Sequence, residues 1–418
     1  MDFKSASPKV DRVAYTEGDI AYKIEIMKRM RKLGMSLSHD DAGNICGFLQ
    51  ARGQAHGSFA LVTHTDSITV PVDEPNGGAG QFDGAAGMVA YLMAIENLQK
   101  QGVDLRNDIY VVNCACEESS RFASACIGSR YLAGSLEDDA YDLPDKIYKN
   151  QGITLGKAMH DAEGLLESGM RAQGIKADKV KSVVGKTQCD TAFELHIEQY
   201  ESLVDDKKQI GIVTAIPGAY RFEATMHGKR DHSGATPVEK RQDSMRAMRD
   251  LLDVLYKLED KHPGDILVNP AGNVTGKTVT NMVQNYVHFP SIDVRIHHPL
   301  QVAEIAKYIE EAICKIEENT NVQIDRKKLS ATDPCLMDAE LAKKLHSLSQ
   351  GLGFDTKMMR SGAGHDIAYF PARRKGLIFI PSTGGSHNPQ EHTTGQDILN
   401  GTAVLEKAIT LGTDSRTR

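Results

Sequence analysis

Apolar residues recur at helical spacing from Thr16 to Gly34, with Ile20, Ile24, Met27 and Met30 on one face. Thr16 and Asp19 form a capping-box-like start, and Gly34 supplies a stop. Beyond it, short apolar runs ending in polar clusters alternate with helical patterns. That alternation predicts an α/β layer, a mixed but largely parallel sheet flanked by helices. Between about residues 211 and 330 the pattern changes. An apolar run from Gly211 to Gly228 precedes a helix carrying Met245, Met248, Leu252, Leu255 and Leu258. Strand-like stretches follow near Val279–Val283 and Tyr286–Arg295, then a helix with Val302, Ile305, Ile309, Ile313 and Ile316, then NVQIDRKKL (321–329). The order β-α-β-β-α-β is that of a ferredoxin-like unit. We read residues 211–330 as a domain inserted into a first domain of residues 1–210 and 331–418, to which the chain returns with a helix near 339–350 and a strand at GLIFIP (376–381).

Composition narrows the classes of function. A length of 418 residues favours two domains, and 40% hydrophobic with 25% charged residues is a soluble globular mix. A formal charge of −7 argues against nucleic acid and anionic membranes as partners. No apolar run approaches the roughly 20 residues that span a bilayer. MDFKSASPKVDR at the start lacks the apolar segment of a secretory signal. Seven scattered cysteines do not form a disulfide pattern, so a cytoplasmic protein is expected. Cys46, Cys189, Cys314 and Cys335 are expected to be buried small apolar residues.

Four apolar runs each lead into metal-competent residues. SFALVT (58–63) precedes His64 and Asp66, IYVVNCAC (109–116) precedes Glu117 and Glu118, AFEL (192–195) precedes His196, and GLIFIP leads through STGGS to His387. Asp83 stands just before a helix bearing Met88, Leu92, Ile95 and Leu98. Sites in open α/β sheets collect outside the carboxyl ends of the strands, so these sets can converge. Three histidines with two or three carboxylates and no thiolate suit zinc, manganese, nickel or cobalt in an open hydrolytic site. Taken singly, each residue also fits a turn or cap, and Asp83 alone would be an N-cap.

The ordered motifs HTD (64–66), PNGGAGQFDGAAG (75–87), CEESSRF (116–122) with GSRYLAG (128–134), ELHIEQ (194–199), SGAGHD (361–366) and PSTGGSHNPQE (381–391) carry a resemblance. They are similar to those of the hydantoinase/carbamoylase family of metal-dependent amidohydrolases, relatives of the aminoacylase and carboxypeptidase G type of metallopeptidases. The resemblance runs from about residue 12 to 410 and implies two divalent ions per subunit, zinc first, with manganese, cobalt or nickel as alternatives. It assigns His64, Asp83 and His196 to one ion and Asp83, Glu118 and His387 to the other. Asp66 would orient the His64 ring, and Glu117 would be the general base. A histidine at position 196, where many peptidase relatives carry a carboxylate, favours the amidohydrolase branch. Gln199 would contact substrate. In the inserted domain, GKRDHSGATPVEKRQDS (228–244) resembles the family's lid motif. His232 would then stabilise the oxyanion, reaching a neighbouring subunit's site in a homodimer. Arg295 would grip a substrate carboxylate, Asn281 would add a contact, and His365 would build the pocket or back the metal site.

The implied activity is cleavage of the carbamoyl C–N bond of an N-carbamoyl-L-amino acid or related ureido acid. Alternatives are an allantoate amidohydrolase, an N-acyl amino acid hydrolase or dipeptidase on the same scaffold, and a non-catalytic binding relative. The chain departs from the family in a longer stretch between His64 and Asp83, in Tyr200 after HIEQ, and in the spacing of Asn281 from Arg295.

Overall fold

The computed structural model describes residues 12–68, 80–147, 152–184, 189–271 and 281–411. The chain forms two compact units, Met1–Thr214 with Met337–Arg418, and Ala215–Leu336. In the first, α1 (Glu17–Lys32), β1 (Ser36–His39), β2 (Ile45–Leu49), β3 (Ser58–His64), α2 (Ala85–Lys100), β4 (Asp108–Cys114), α3 (Ile127–Leu132), α4 (Leu155–Ala172), β5 (Asp178–Lys179), β6 (Cys189–Ile197), α5 (Ser202–Asp205) and β7 (Ile210–Ile216) follow in order. The second holds β8 (Gly218–His227), α6 (Ser244–Lys261), β9 (Ile266–Ala271), β10 (Tyr286–Ile296), α7 (Val302–Thr320), β11 (Gln323–Thr332) and β12 (Cys335–Leu336). The first unit then resumes with α8 (Ala339–Gly351), β13 (Thr356–Arg360), β14 (Ala372–Ile380) and α9 (Gly395–Leu411).

The large sheet runs β12-β7-β14-β6-β3-β4-β2-β1-β5, with β13 also beside β7. Its centre, β14-β6-β3-β4, is parallel throughout. The flanking pairs β7–β14 and β2–β4 are antiparallel. The parallel strands are nearly continuous apolar runs because both faces are covered. Phe59, Leu61, Phe193, Leu195, Ile378 and Ile380 are buried in one core with residues of α1, α2, α4 and α9. α1 begins as its cap requires: Thr16 Oγ1 accepts from Asp19 N, and Asp19 Oδ2 accepts from Tyr15 N at 2.9 Å. Asp19 also binds Lys23 Nζ at 3.1 Å with both side chains buried.

The second unit has strand order β11-β8-β10-β9, and α6 and α7 close its core. Its limits differ from residues 211 and 330. The apolar run from Gly211 is cut at Pro217, which has no N–H for a ladder. Residues before the cut pair with β14 in the large sheet, while β8 starts the small one. The strand that follows α6 is β9. Val279 lies outside the described residues, and Met282 makes only an isolated bridge with His232. α6 buries Ala247, Leu251, Leu255 and Leu258 and leaves Met245 exposed. Cys46 and Cys189 are buried as expected, whereas Cys314 is exposed and Cys335 half-buried. No described helix is long and apolar enough to cross a membrane.

Candidate metal centre

The four central parallel strands are neighbours in the sheet, so their carboxyl ends lie side by side. β3 ends on His64, β6 carries His196 one residue from its end, and the chain beyond β4 and β14 supplies Glu117, Glu118 and His387. Asp83 stands two residues before α2, next to Gly84 at φ +64°. A Cβ on Gly84 would lie 2.5 Å from His64 O and 2.6 Å from the His64 ring. Only glycine fits there, because the left-handed backbone and the ring contact exclude a side chain together. Gly84→Ala is therefore expected to cost about 1–3 kcal/mol from the backbone alone and to displace His64. Thermal unfolding and metal content measure the two effects.

Asp83 is the hub. Its Oδ1 lies 2.9 Å from His196 Nε2 and 3.3 Å from His64 Nε2, and its Oδ2 lies 3.5 Å from His387 Nε2. His387 Nε2 is in turn 3.1 Å from Glu118 Oε1. Ligand-capable atoms of His64, Asp83 and His196 lie within 4.8 Å of one another, and so do those of Asp83, Glu118 and His387. The ring orientations suit ligands. His196 Nδ1 faces Ile197 O at 2.9 Å and His64 Nδ1 faces Asp66 O at 3.2 Å, which turns both Nε2 atoms inward. The two Nε2 atoms are only 3.4 Å apart. Buried nitrogen and carboxylate lone pairs converging without a thiolate fit a divalent ion of the zinc, manganese, cobalt or nickel kind.

The adjacent glutamates depend on a break in β4. The strand stops at Cys114, and Cys116 takes φ +53°, so alternation ends before Glu117. Asp66 fixes the new direction, its two carboxylate oxygens accepting from Glu117 N (3.2 Å) and Glu118 N (3.1 Å). Cys126 N and Ile127 N donate to Glu117 O and Cys116 O from the other side. Arg121 reaches Asp145 at 2.9 Å and stacks over the buried Phe122 ring. Both glutamates then face one site: Glu117 Oε2 lies 3.9 Å from His64 Nε2, while Glu118 faces His387. Cys114, the last residue of the strand, and Cys116 beyond it are both fully buried.

Charge in this cluster is strongly redistributed. Burial opposes charge on His64, but hydrogen bonds to Asp66 and Asp83 outweigh it and raise its pKa well above the ordinary value. Burial likewise works against Asp83, yet His196, His387 and His64 hold its carboxyl well below the carboxylate range. For Glu117, burial dominates and Glu118, Asp366 and Asp66 add to it, so its pKa stands well above the usual value despite His64. His387 is raised to about 11 because its bonds to Asp83 and Glu118 outweigh burial.

Other expected residues divide by unit. Gln199, at φ +65°, donates to Asp83 Oδ2 at 2.8 Å. His365 is buried, sits 2.9 Å from Ser361 Oγ and packs edge-on against the His196 ring at 4.7 Å, so it backs that ring rather than facing solvent. With Glu194 and His196 it makes a third cluster of ligand-capable atoms. Tyr200 is 71% exposed. The longer stretch before Asp83 lies mostly outside the described residues, at 69–79. In the second unit, residues 231–233 pair with 281–283, which sets His232 beside Asn281: Ser233 N donates to Asn281 O and Val283 N to Asp231 O. His232 Nδ1 accepts from Gly234 N and Ala235 N at 3.1 and 3.0 Å, so Nε2 carries the donor hydrogen on an exposed ring. Arg295 Nε binds Asp293 Oδ2 at 2.9 Å.

Three residues at the centre escaped sequence reasoning. Cys126 Sγ contacts Glu117 Oε1 at 3.3 Å, but nothing in its neighbours marks it. Ser386 and Glu391 meet the Asp83 loop, and both sit inside PSTGGSHNPQE, so position in that motif was the available signal.

A model of peptidase family M20/M25/M40 matches residues 60–411, a span that includes every residue of the centre. The chain belongs to that family. It is 28% identical to an allantoate amidohydrolase of Bacillus subtilis, over 96% of this chain and 92% of that one. It is also 28% identical to an N-carbamoyl-L-amino acid amidohydrolase of Geobacillus stearothermophilus, covering 97% and 94%. A crystal structure of an amidase of the hydantoinase/carbamoylase family from Burkholderia multivorans superposes with a TM-score of 0.79 at 25% identity, covering 97% of this chain and 93% of that one. Within M20/M25/M40 the chain thus falls in the hydantoinase/carbamoylase branch, and the α/β architecture with a separate antiparallel sheet is that of this branch.

Proposed function

We propose that this chain is a di-metal amidohydrolase that cleaves the carbamoyl C–N bond of an N-carbamoyl-L-amino acid or related ureido acid. The observation that carries the reading is the pair of ligand clusters sharing Asp83, with the half-buried Glu117 beside them, its Oε2 3.9 Å from His64 Nε2. Similarity to the two amidohydrolases above supports the substrate class. His64, Asp83 and His196 hold one ion, and Asp83, Glu118 and His387 hold the other, zinc being the first choice. When bound, divalent ions polarise the scissile carbonyl and acidify water. Glu117 takes the proton of the attacking water and passes it to the leaving nitrogen. The balance is R–NH–CO–NH2 plus H2O giving R–NH2, CO2 and NH3. Asp66 keeps the His64 ring and both glutamates in register for this exchange.

His232 supplies the oxyanion donor through Nε2–H. Arg295, with Nε spent on Asp293, offers its two Nη groups to the substrate carboxylate. Asn281 lies beside His232 to add a polar contact, and Gln199 contacts the substrate when its amide is released from Asp83. The exposed His232 acts in a partner's site within a homodimer, and seven cysteines scattered without a disulfide pattern suit a cytoplasmic enzyme. A complementation experiment tests the dimer. His232→Ala and Glu117→Gln proteins are each inactive alone, and mixed dimers regain activity because one site combines an intact base with an intact donor. Mixtures as inactive as their parents contradict action across the dimer.

Metal binding is expected to release protons. At neutral pH His387, raised to about 11, and the raised His64 hold protons that a metal displaces. Apparent affinity for Zn2+ therefore rises with pH. Calorimetric heats must differ between buffers of different ionisation enthalpy; equal heats contradict the coupling.

Parallel assays of N-carbamoyl, N-formyl and N-acetyl amino acids and of dipeptides test the substrate class. The carbamoyl compounds are expected to react fastest. Preference for acyl or dipeptide substrates transfers the centre to the acylase or peptidase reading.

A further inference from the structure

The loop that carries His387 is built differently from the strand ends carrying the other ligands. His387 has φ +63°, follows Gly384 and Gly385 at +77° and +68°, and leaves 44% of its side chain exposed. A histidine at positive φ is costly and persists only where its surroundings hold it. The loop is closed at its base by Thr383 and His392, which exchange backbone hydrogen bonds at 2.8 and 3.0 Å. Within the loop, Glu391 turns inward and is 4% exposed. Its Oε1 accepts from Phe82 N at 2.6 Å and Asp83 N at 3.1 Å. Its Oε2 lies 2.6 Å from Ser386 Oγ and 3.4 Å from His387 N, which donates to it. Ser386 Oγ is also 2.6 Å from Asp83 Oδ2.

We propose that Glu391 is a positioning residue that ties the backbone of the shared carboxylate Asp83 to the backbone of His387 and thereby fixes the spacing of the second metal site. The inference rests on the two-ion reading. Glu391 contacts no ligand atom of the centre. It accepts from the backbone N–H of two ligand residues, one on each side, and one carboxyl group thus joins loops more than 300 positions apart in the chain. The first site depends on it less. His64 and His196 are carried by paired β-strands, and Gln199 grips Asp83 independently. His387 has no strand beneath it.

Glutamine at position 391 keeps the shape but replaces one accepting oxygen with an N–H2 group. Whichever way the amide turns, one side meets backbone or hydroxyl donors with another donor. Full-length wild type and Glu391→Gln, stripped of metal, are titrated with Zn2+ by calorimetry, with ion content measured separately. Wild type is expected to take two ions. Glu391→Gln is expected to keep the tighter ion at wild-type affinity and to bind the second about 10–100-fold more weakly, the usual effect of removing a group that orients a ligand. His387→Ala identifies the site: combined with it, Glu391→Gln should leave the remaining ion unchanged. Melting of the metal-free proteins checks folding. Equal weakening of both ions assigns Glu391 a general structural role and overturns the proposal, as does an unchanged second ion. A wild type that takes only one ion overturns the two-ion reading instead, and the inference with it.

Discussion

Glu117→Gln is expected to cripple turnover while leaving bound metal in place. The expected loss is about 10²–10⁴-fold or more, the range in which a positioned general base contributes. The substitution keeps the side-chain shape, and Glu117 belongs to neither ligand cluster sharing Asp83. It removes a carboxylate raised well above its usual pKa by burial and by Glu118, Asp366 and Asp66. Cys126 Sγ, now against Oε1, still finds a polar atom there. Metal analysis alongside the assay separates a lost base from a lost ion. Loss of metal together with activity, or turnover within a few-fold of wild type, contradicts the assignment.

Asp83→Asn is expected to have the opposite signature and to weaken metal binding. Asp83 alone among the centre's residues is a member of both ligand clusters whose second partners are His64 with His196 and Glu118 with His387. An amide retains one accepting oxygen but turns an N–H2 group toward histidine nitrogens on the other side. Without its charge, His64, His196 and His387 lose their common anionic partner. Both ions should weaken by at least about tenfold, and activity should fall with them. Excess metal restores part of the activity only if the other ligands still assemble. Two ions held at wild-type affinity in Asp83→Asn mean that Asp83 does not bridge.

Legibility in the sequence followed physical locality. His64, His196 and the sheet that carries them were legible because each strand is an apolar run ending at one polar residue. From α/β topology the four strand ends were expected only to be able to converge, and their adjacency is seen in the structure, which places β14, β6, β3 and β4 side by side. Glu117 and Glu118 pointed to a broken strand, but the device that breaks it was not visible. It combines Cys116 at positive φ with Asp66 accepting from two amides, contacts made across 51 and 52 residues. Glu391 was hidden for a related reason: its partners are backbone groups, which carry no residue signature. β9 escaped notice because it contains Pro270, which is tolerated at the edge of the small sheet where an N–H is not needed, while Val279–Val283 lies partly outside the described residues.

The central claim is that this centre hydrolyses a ureido group. Metal-replete protein incubated with N-carbamoyl amino acids carrying a 13C label at the carbamoyl carbon, followed by NMR, tests it most directly. The label is expected to convert to carbon dioxide and bicarbonate, with one ammonia released per amino acid formed. An unchanged carbamoyl signal, with allantoate and ureidopropionate also left intact, contradicts it.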